Sequence, residues 1–465
     1  MKGKFLAVLL LVLVTLGAYA NSLKGDFISD DRALMLEFSR KAPPLFKGSF
    51  EVTHFINALC WRLFGLKPFG YHLVSVVLHT VNTVLMFFVV VSLFSKEKLA
   101  FITALLFAVH PVNTQVVSWI SGKPYAEMTL FFLLGLLLQK RLVFSGISFL
   151  LSLSVQVGAL GFPFVSYACA KDRRKFLFFL VILLLCVPFV YKTLLHRIAV
   201  FGLSGQTEIW PTVGRIASVS RVVAYYLALA LFPLKLGWYH AIGFDYDKSL
   251  EQYNLMAFVS MAVIVMLIMC AFRYRHSARA FFLGILWVFI TLVPCVNIIN
   301  TNSLVAERYL YLPLAGFCLA LGALLDKAPL KVTIAIVSFI FFFFFFRTMV
   351  RNQDYKNEFT LYYANTVAFP GTYMSHNSLG GAYANLGKHD LAAEEFKRTI
   401  ALNPSYAGAY YNLANTYVAL GRLDEAYEHY QKALSIAPEF DLAKKNFEAL
   451  ERFRKQQGNH EAFRF

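Results

Sequence analysis

Eleven apolar runs, several of them close to the thickness of a bilayer, set the limits on what this chain can fold into. The first, FLAVLLLVLVTLGAYA (5–20), comes after Lys2 and Lys4, and ten more lie at 70–94, 99–119, 122–139, 143–157, 158–170, 176–195, 252–272, 280–298, 309–325 and 330–346. A helix crosses lipid with about 20 such residues. Hydrophobic residues are 58% of the chain and charged ones 15%, with a mean hydropathy of +0.57. No water-soluble core hides that much apolar surface, so most of it must face lipid. From residue 351 onward 13 Lys and Arg balance 13 Asp and Glu, so the whole net charge of +17 falls within 1–350. The chain therefore reads as all-α, with a polytopic membrane domain over 1–350 and a soluble domain over 351–465.

The loops orient the spans. Lys96/Lys98, Lys140/Arg141, Lys171/Arg173/Arg174/Lys175, Arg273/Arg275/Arg279 and Lys327/Lys331 lie between apolar runs. With the N-terminus inside, each cluster falls on the cytoplasmic side, as the positive-inside rule requires. The first run ends in Ala18-Tyr19-Ala20, so it reads either as a span or as a cleaved signal peptide. Both readings put the loop after Ala20 outside. RIASVSRVVAYYLALALFP (215–233) would reverse the parity if it crossed; Arg215 and Arg221 place it as an interfacial or re-entrant helix. About eleven spans result, with the first outer loop (21–69) and the C-terminal domain facing outward. A basic excess of this kind marks membrane loops, not nucleic-acid binding. The six cysteines, Cys60, Cys169, Cys186, Cys270, Cys295 and Cys318, form no CxxC pair and read as small buried hydrophobes.

The C-terminal part repeats itself. Pro404/Pro438, Leu379/Leu413, Gly380/Ala414, Tyr383/Tyr417, Ala392/Ala426 and Phe396/Tyr430 are each 34 residues apart. That is the tetratricopeptide (TPR) period of helix–turn–helix units stacked into a solenoid. Repeats are expected at about 373–406 and 407–440, a degenerate helix within 352–370 and a capping helix over 441–456. Tyr383, Tyr417, Ala392 and Ala426 are the expected large and small packing residues. The array either binds a partner peptide or packs on the membrane domain.

On this topology the polar stretches gather outside: KGDFISDDRALM (24–35), HPVNTQVVSWISGK (110–123), GALGFP (158–163), GFDYD (243–247) and NIINTNSLVAERYLYLP (297–313). Loops elaborated on one face point to chemistry on that face, whereas a transporter would place charges within its spans. Asp30 and Asp31 read either as N-caps of a helix beginning near Arg32 or as a base or metal ligand at the membrane surface. Glu307, Arg308 and Tyr309 read either as interface anchors or as a phosphate site with Arg308 as its cation. His72 and His79, seven apart on one helical face, read either as packed polar residues between helices or as metal ligands, and His110 as a cap of its His-Pro turn rather than a base.

Taken together, the DD pair, GYHLVSVVLH (70–79), HPVNTQVVSWISGK, NTNSLVAERYLYLPLAGF (300–317) and the repeats resemble the transmembrane-and-TPR (TMTC) proteins. These are GT-C glycosyltransferases related to the protein O-mannosyltransferases. The resemblance implies transfer of a sugar from a polyprenyl-phosphate carrier to an acceptor on the exoplasmic face. It implies Asp30 as general base, with Asp31 as its support or a metal ligand. Arg308, Lys123 and Tyr309 would be donor-phosphate residues, with His110, Glu307 and His72 as further loop candidates. The TPR domain would recruit a protein acceptor. No metal site is assigned; a divalent ion would be an addition to this set, and the lipid-linked sugar is a co-substrate. GSFEVTHFIN (48–57) stands where the family usually has an Arg-Pro, and GALGFP where it often has Lys-Glu. Gln115 stands for a glutamate and Lys123 for an arginine, which keeps the charge without the bidentate fork. The expected setting is a prokaryotic inner membrane. The alternative is a non-enzymatic membrane scaffold whose repeats assemble an envelope or secretion complex.

Overall fold

A computed structural model of the chain describes residues 2–45, 51–202, 212–240, 250–296 and 305–462. The GFDYD stretch, residues 48–50 and the 297–304 part of the NIINTNSLVAERYLYLP string lie outside the described residues. Among the described residues all regular structure is helical. The chain divides into two compact units: Met1–Leu236 with Asp245–Asn357, and Gly237–Phe244 with Glu358–Phe465.

The first unit begins with α1 (Lys2–Tyr19), then two short helices, α2 (Asp30–Arg40) and α3 (Val52–Phe64). Next come α4 (Pro68–Phe94) and α5 (Glu97–Val109). Pro68 sits in the first turn of α4, where a proline has no amide to lose. Pro111 stops α5, and the short α6 (Thr114–Val117) continues at a bend of 49°. The unit runs on through α7 (Pro124–Leu137), α8 (Leu142–Val155), α9 (Phe162–Ala170), α10 (Arg173–Gly202), α11 (Thr212–Leu231) and α12 (Leu250–Arg273). It closes with α13 (Arg279–Leu292), α14 (Tyr311–Lys327) and α15 (Leu330–Asp354).

Among the described residues five helical segments are long and apolar enough to cross a membrane, or six if the bent pair Glu97–Val109 and Pro111–Val117 is one span. The other runs counted as spans from sequence include α7, α8 and α13, at 14 residues each, and α9 at 9. The count of eleven crossings is therefore not supported by helix length. The 215–233 segment is helical as α11.

Small residues let the helices of this unit approach. A Cβ on Gly284 would lie 2.5 Å from the Ala320 nitrogen and 2.6 Å from the Gly316 carbonyl oxygen, so α13 and α14 touch backbone to backbone. Beside them Phe149 stacks on Phe162 at 5.0 Å, and Phe132 meets Phe162 and Trp287.

The second unit is a run of antiparallel helices: α16 (Glu358–Ala368), α17 (Tyr373–Asn385), α18 (His389–Leu402), α19 (Ala407–Ala419), α20 (Leu423–Ile436) and α21 (Asp441–Ala462). Each helix pair of the repeat turns at a glycine in the left-handed region, Gly387 (φ 72°) and Gly421 (φ 74°), again 34 residues apart. The 34-residue partners Ala392 and Ala426, Leu413, Phe396 and Tyr430 meet in one core with Tyr417 and Leu450. Gly380 gives α18 room: a Cβ there would lie 2.7 Å from the Phe396 ring. At the start of this unit Asn365 clamps the distant segment 237–240. Its Oδ1 accepts the amides of Trp238 and of Tyr239 (2.9 Å), and its Nδ2 donates to the Tyr239 carbonyl at 3.3 Å.

Candidate functional site

The acids of KGDFISDDRALM sit on a loop held from several sides. Gly25 approaches His72 so closely that a Cβ would lie 2.9 Å from Nε2, so a side chain there would have to displace the imidazole. The Asp26 amide donates to the Lys356 carbonyl at 2.9 Å. Ser29 then takes φ 51° and ψ −124°, a conformation that costs a residue with a side chain on the order of 1–3 kcal/mol and persists only where its surroundings over-determine it. The amides of Asp31 and Arg32 donate to the carbonyls of Ile28 and Ser29, both at 3.1 Å, and α2 starts.

Asp30 and Asp31 have opposite fates on this loop. Asp30 is exposed in the first turn of α2, where the helix dipole favours a carboxylate. Asp31 is buried. Its Oδ1 accepts both the amide (2.8 Å) and the hydroxyl of Ser121, and its Oδ2 accepts the Ile28 amide at 3.3 Å. Burial pushes the Asp31 carboxyl up to about 6, against the hydrogen bonds of Ser121 and Ile28, which lower it. Asp31 is thus a fastening between the first loop and the 110–123 string.

That string positions the other candidates. His110 accepts the Val112 amide at 3.3 Å and caps the Pro111 turn; its Nε2 meets the Ala230 carbonyl at 2.9 Å. Gln115, fully buried, accepts the Arg308 amide at 2.7 Å. The Arg308 guanidinium stands 5.4 Å over the Trp119 ring and 5.1 Å over the Tyr309 ring and is hydrogen-bonded to the Tyr125 hydroxyl. Among the described residues no carboxylate forms an ion pair with it. Lys123 is buried, with Nζ donating to Asn57 Oδ1 at 2.5 Å. One turn on, Glu127 is also buried and accepts from Thr53 Oγ1 at 2.5 Å. Asn57 and Thr53 both belong to α3, so the first loop rests on the start of α7 as well.

Glu307 does not share the surroundings of its neighbour Arg308. It is buried and ion-paired at 3.4 Å with Arg351, which also bonds Asp354 at 2.8 Å and the Tyr355 hydroxyl at 3.3 Å. His72 is buried under the loop beside Gly25. His79 accepts from or donates to the Tyr311 hydroxyl at 2.7 Å and holds the Ala108 carbonyl at 3.0 Å. Among the described residues no three His, Cys, Asp or Glu side chains are grouped so that they could hold a metal ion.

The structure therefore brings Asp31, Ser121, Lys123, Asn57 and Glu127 together around the first loop, and sets Arg308 with Gln115, Trp119, Tyr125 and Tyr309. Ser121, Asn57, Glu127 and Arg351 are not singled out by sequence. Ser121 lies inside the SWISGK string, and Arg351 interrupts the end of an otherwise phenylalanine-rich helix; the other two carry no local signal. In the repeats Tyr417 is buried, stacked on His429 at 5.4 Å and covered by Arg422 at 4.6 Å. Tyr383 is half-buried, against Phe359.

Family models of the tetratricopeptide repeat match residues 407–440, and of the TPR repeat residues 380–421. A protein O-mannosyl-transferase of Caenorhabditis elegans is 27% identical over 442 residues, covering 85% of this chain and 63% of that protein. The protein O-mannosyl-transferase TMTC3 of Homo sapiens is 25% identical over 477 residues, covering 87% of this chain and 52% of its own length. TMTC1 of Homo sapiens is 23% identical, covering 85% and 55%. The chain is TMTC-like across both units, and it spans between half and two thirds of the length of these curated relatives.

Proposed function

We propose that this TMTC-like chain is an integral-membrane glycosyltransferase of the GT-C type. It would move a sugar from a polyprenyl-phosphate carrier to a hydroxyl of a protein on the exoplasmic face, in a prokaryotic inner membrane. The names of the relatives point to mannose as the sugar and to O-linkage. One observation carries the reading: a single buried stretch, 110–123, fastens both an acid loop, through Ser121 and Asp31, and an arginine without a carboxylate partner among the described residues, through Gln115 and Arg308. Displacement at a sugar carbon needs those two groups, a base for the incoming hydroxyl and a fixed charge for the departing phosphate.

The roles then divide. Asp30, exposed at the N-terminus of α2, accepts the proton of the acceptor hydroxyl as its oxygen attacks the sugar carbon. Asp31 does not reach substrate; it holds the loop. Arg308, with no carboxylate ion-paired to it among the described residues, is the cation for the carrier phosphate that leaves with the bonding electrons. Lys123 supports the site from below through Asn57. The repeats would hold the acceptor protein.

The test is transfer from a radiolabelled polyprenyl-phosphate mannose in proteoliposomes carrying the full chain. Asp30→Asn should abolish incorporation with membrane insertion unchanged, and Arg308→Gln should raise the KM for the donor. Asp30→Asn and wild type transferring equally would remove the assignment. Loss of cellular function only on disrupting the Tyr417 core would favour the scaffold.

A further inference from the structure

Asp26, the first acid of the KGDFISDDRALM stretch, lines an open groove. The groove, about 440 Å³, is bounded by Asp26, Phe27, Arg32, Met35, Ser39 and Pro68. Arg32, Met35 and Ser39 lie along one face of α2, at the i, i+3, i+7 spacing that puts side chains in a row. Phe27, Met35 and Pro68 give the groove an apolar floor, and Asp26 and Arg32 give it one charge of each sign. Asp26 is exposed, and among the described residues no cation is ion-paired with its carboxylate. Its backbone is nonetheless fixed, by the bond to the Lys356 carbonyl and by Gly25 against His72. The loop is closed on the other side by Arg32, whose Nε donates to the Phe27 carbonyl at 3.3 Å. A fixed, unpaired acid at the edge of a half-apolar groove is a recognition element, since a carboxylate on a mobile loop would gain little from a partner.

We infer that this groove takes the acceptor polypeptide in extended form and that Asp26 receives a lysine or arginine of it. The inference rests on the reading of Asp30 as base. Asp30 lies four residues beyond Asp26 on the same loop, and four residues of chain reach at most about 14 Å. A hydroxyl delivered to Asp30 therefore has its basic neighbour within about four residues in the acceptor sequence, with an apolar side chain between or beside them on the Phe27–Met35–Pro68 floor. A polypeptide is favoured over a lipid headgroup because the groove combines separate charges with a floor for side chains.

The full chain in nanodiscs tests it, with three photo-crosslinking threonine dodecapeptides as probes that differ only in a Lys, Gln or Glu three residues from the threonine. The Lys peptide should bind about fivefold more tightly than the Glu peptide, the scale of one exposed ion pair on each side of the comparison. Raised salt should shrink the difference. Asp26→Lys should invert the order, and crosslinks should map to α2 and residues 26–27. An order indifferent to Asp26→Lys, crosslinks elsewhere, or displacement of all three peptides by phosphatidylcholine vesicles but not by competing peptide would overturn the groove as an acceptor site. A Lys preference that depends on Asp26, with no sugar transfer by the wild type, would uphold the groove and remove the transferase reading instead.

Discussion

Asp31 and Ser121, ninety residues apart in the chain, are joined twice: the amide and the hydroxyl of Ser121 both donate to the same carboxylate oxygen of Asp31. This contact decides which of two adjacent aspartates is fastened and which is left exposed. It also gives the first loop a signature in pH.

Burial holds the Asp31 carboxyl at about 6, against about 3.9 in an unfolded chain. The folded state keeps the proton where the unfolded state has lost it, so this group's contribution to stability is greatest below pH 4 and declines as pH rises to about 6. Thermal unfolding of the full chain in detergent should show that decline, and Asp31→Asn should lack it. Ser121→Ala removes a bond that lowers the carboxyl and should extend the decline above pH 6. A wild-type stability that rises across pH 4–6, with Asp31→Asn removing the rise, would reverse the sign and refute the assignment.

The buried pair Glu307–Arg351 should behave asymmetrically. Arg351→Met leaves a buried carboxylate without its cation and should cost about 3–5 kcal/mol. The double variant Arg351→Met with Glu307→Gln should recover most of it. Denaturant midpoints of the four proteins form the cycle, and a loss in the double variant equal to the sum of the two single losses would show that the pair is not coupled.

At the contact of α13 and α14 the backbones touch, so Gly284→Val cannot be absorbed by a side-chain rotation. The monodisperse fraction after detergent extraction should fall sharply. Gly371→Ala, at a glycine with nothing within 4 Å of an added Cβ, should extract like wild type.

In the repeats, Phe396→Ala should cost about 3–5 kcal/mol, because the ring is buried between Gly380 and Ala392/Ala393. Limited proteolysis of the full chain should then open the 373–436 region first. Tyr383→Ala, at a half-buried site, should cost less than Tyr417→Ala.

Much of this molecule is legible in its sequence. A 34-residue period places Ala392 under Ala426 and Phe396 under Tyr430 because each repeat must bury the same face on its neighbour. Pro111 and Pro68 mark where helices break or begin because proline removes an amide. The candidate site was legible only in part. The strings that matter were visible, but not that Asp31 turns inward to Ser121, that Lys123 is covered by Asn57, that Glu307 leaves Arg308 for Arg351, or that Asp26 lines a groove.

The sequence by itself determined the helical class, the apolar runs, the neutral repeat region and which loops hold polar residues, because composition and period act over windows of neighbouring residues. Only the tertiary structure decided which of two adjacent acids is buried and which arginine is paired. Those outcomes depend on partners 44 to 90 residues away. In a low-dielectric interior a single hydrogen bond or ion pair outweighs any local preference, and it leaves no trace in the sequence beside it.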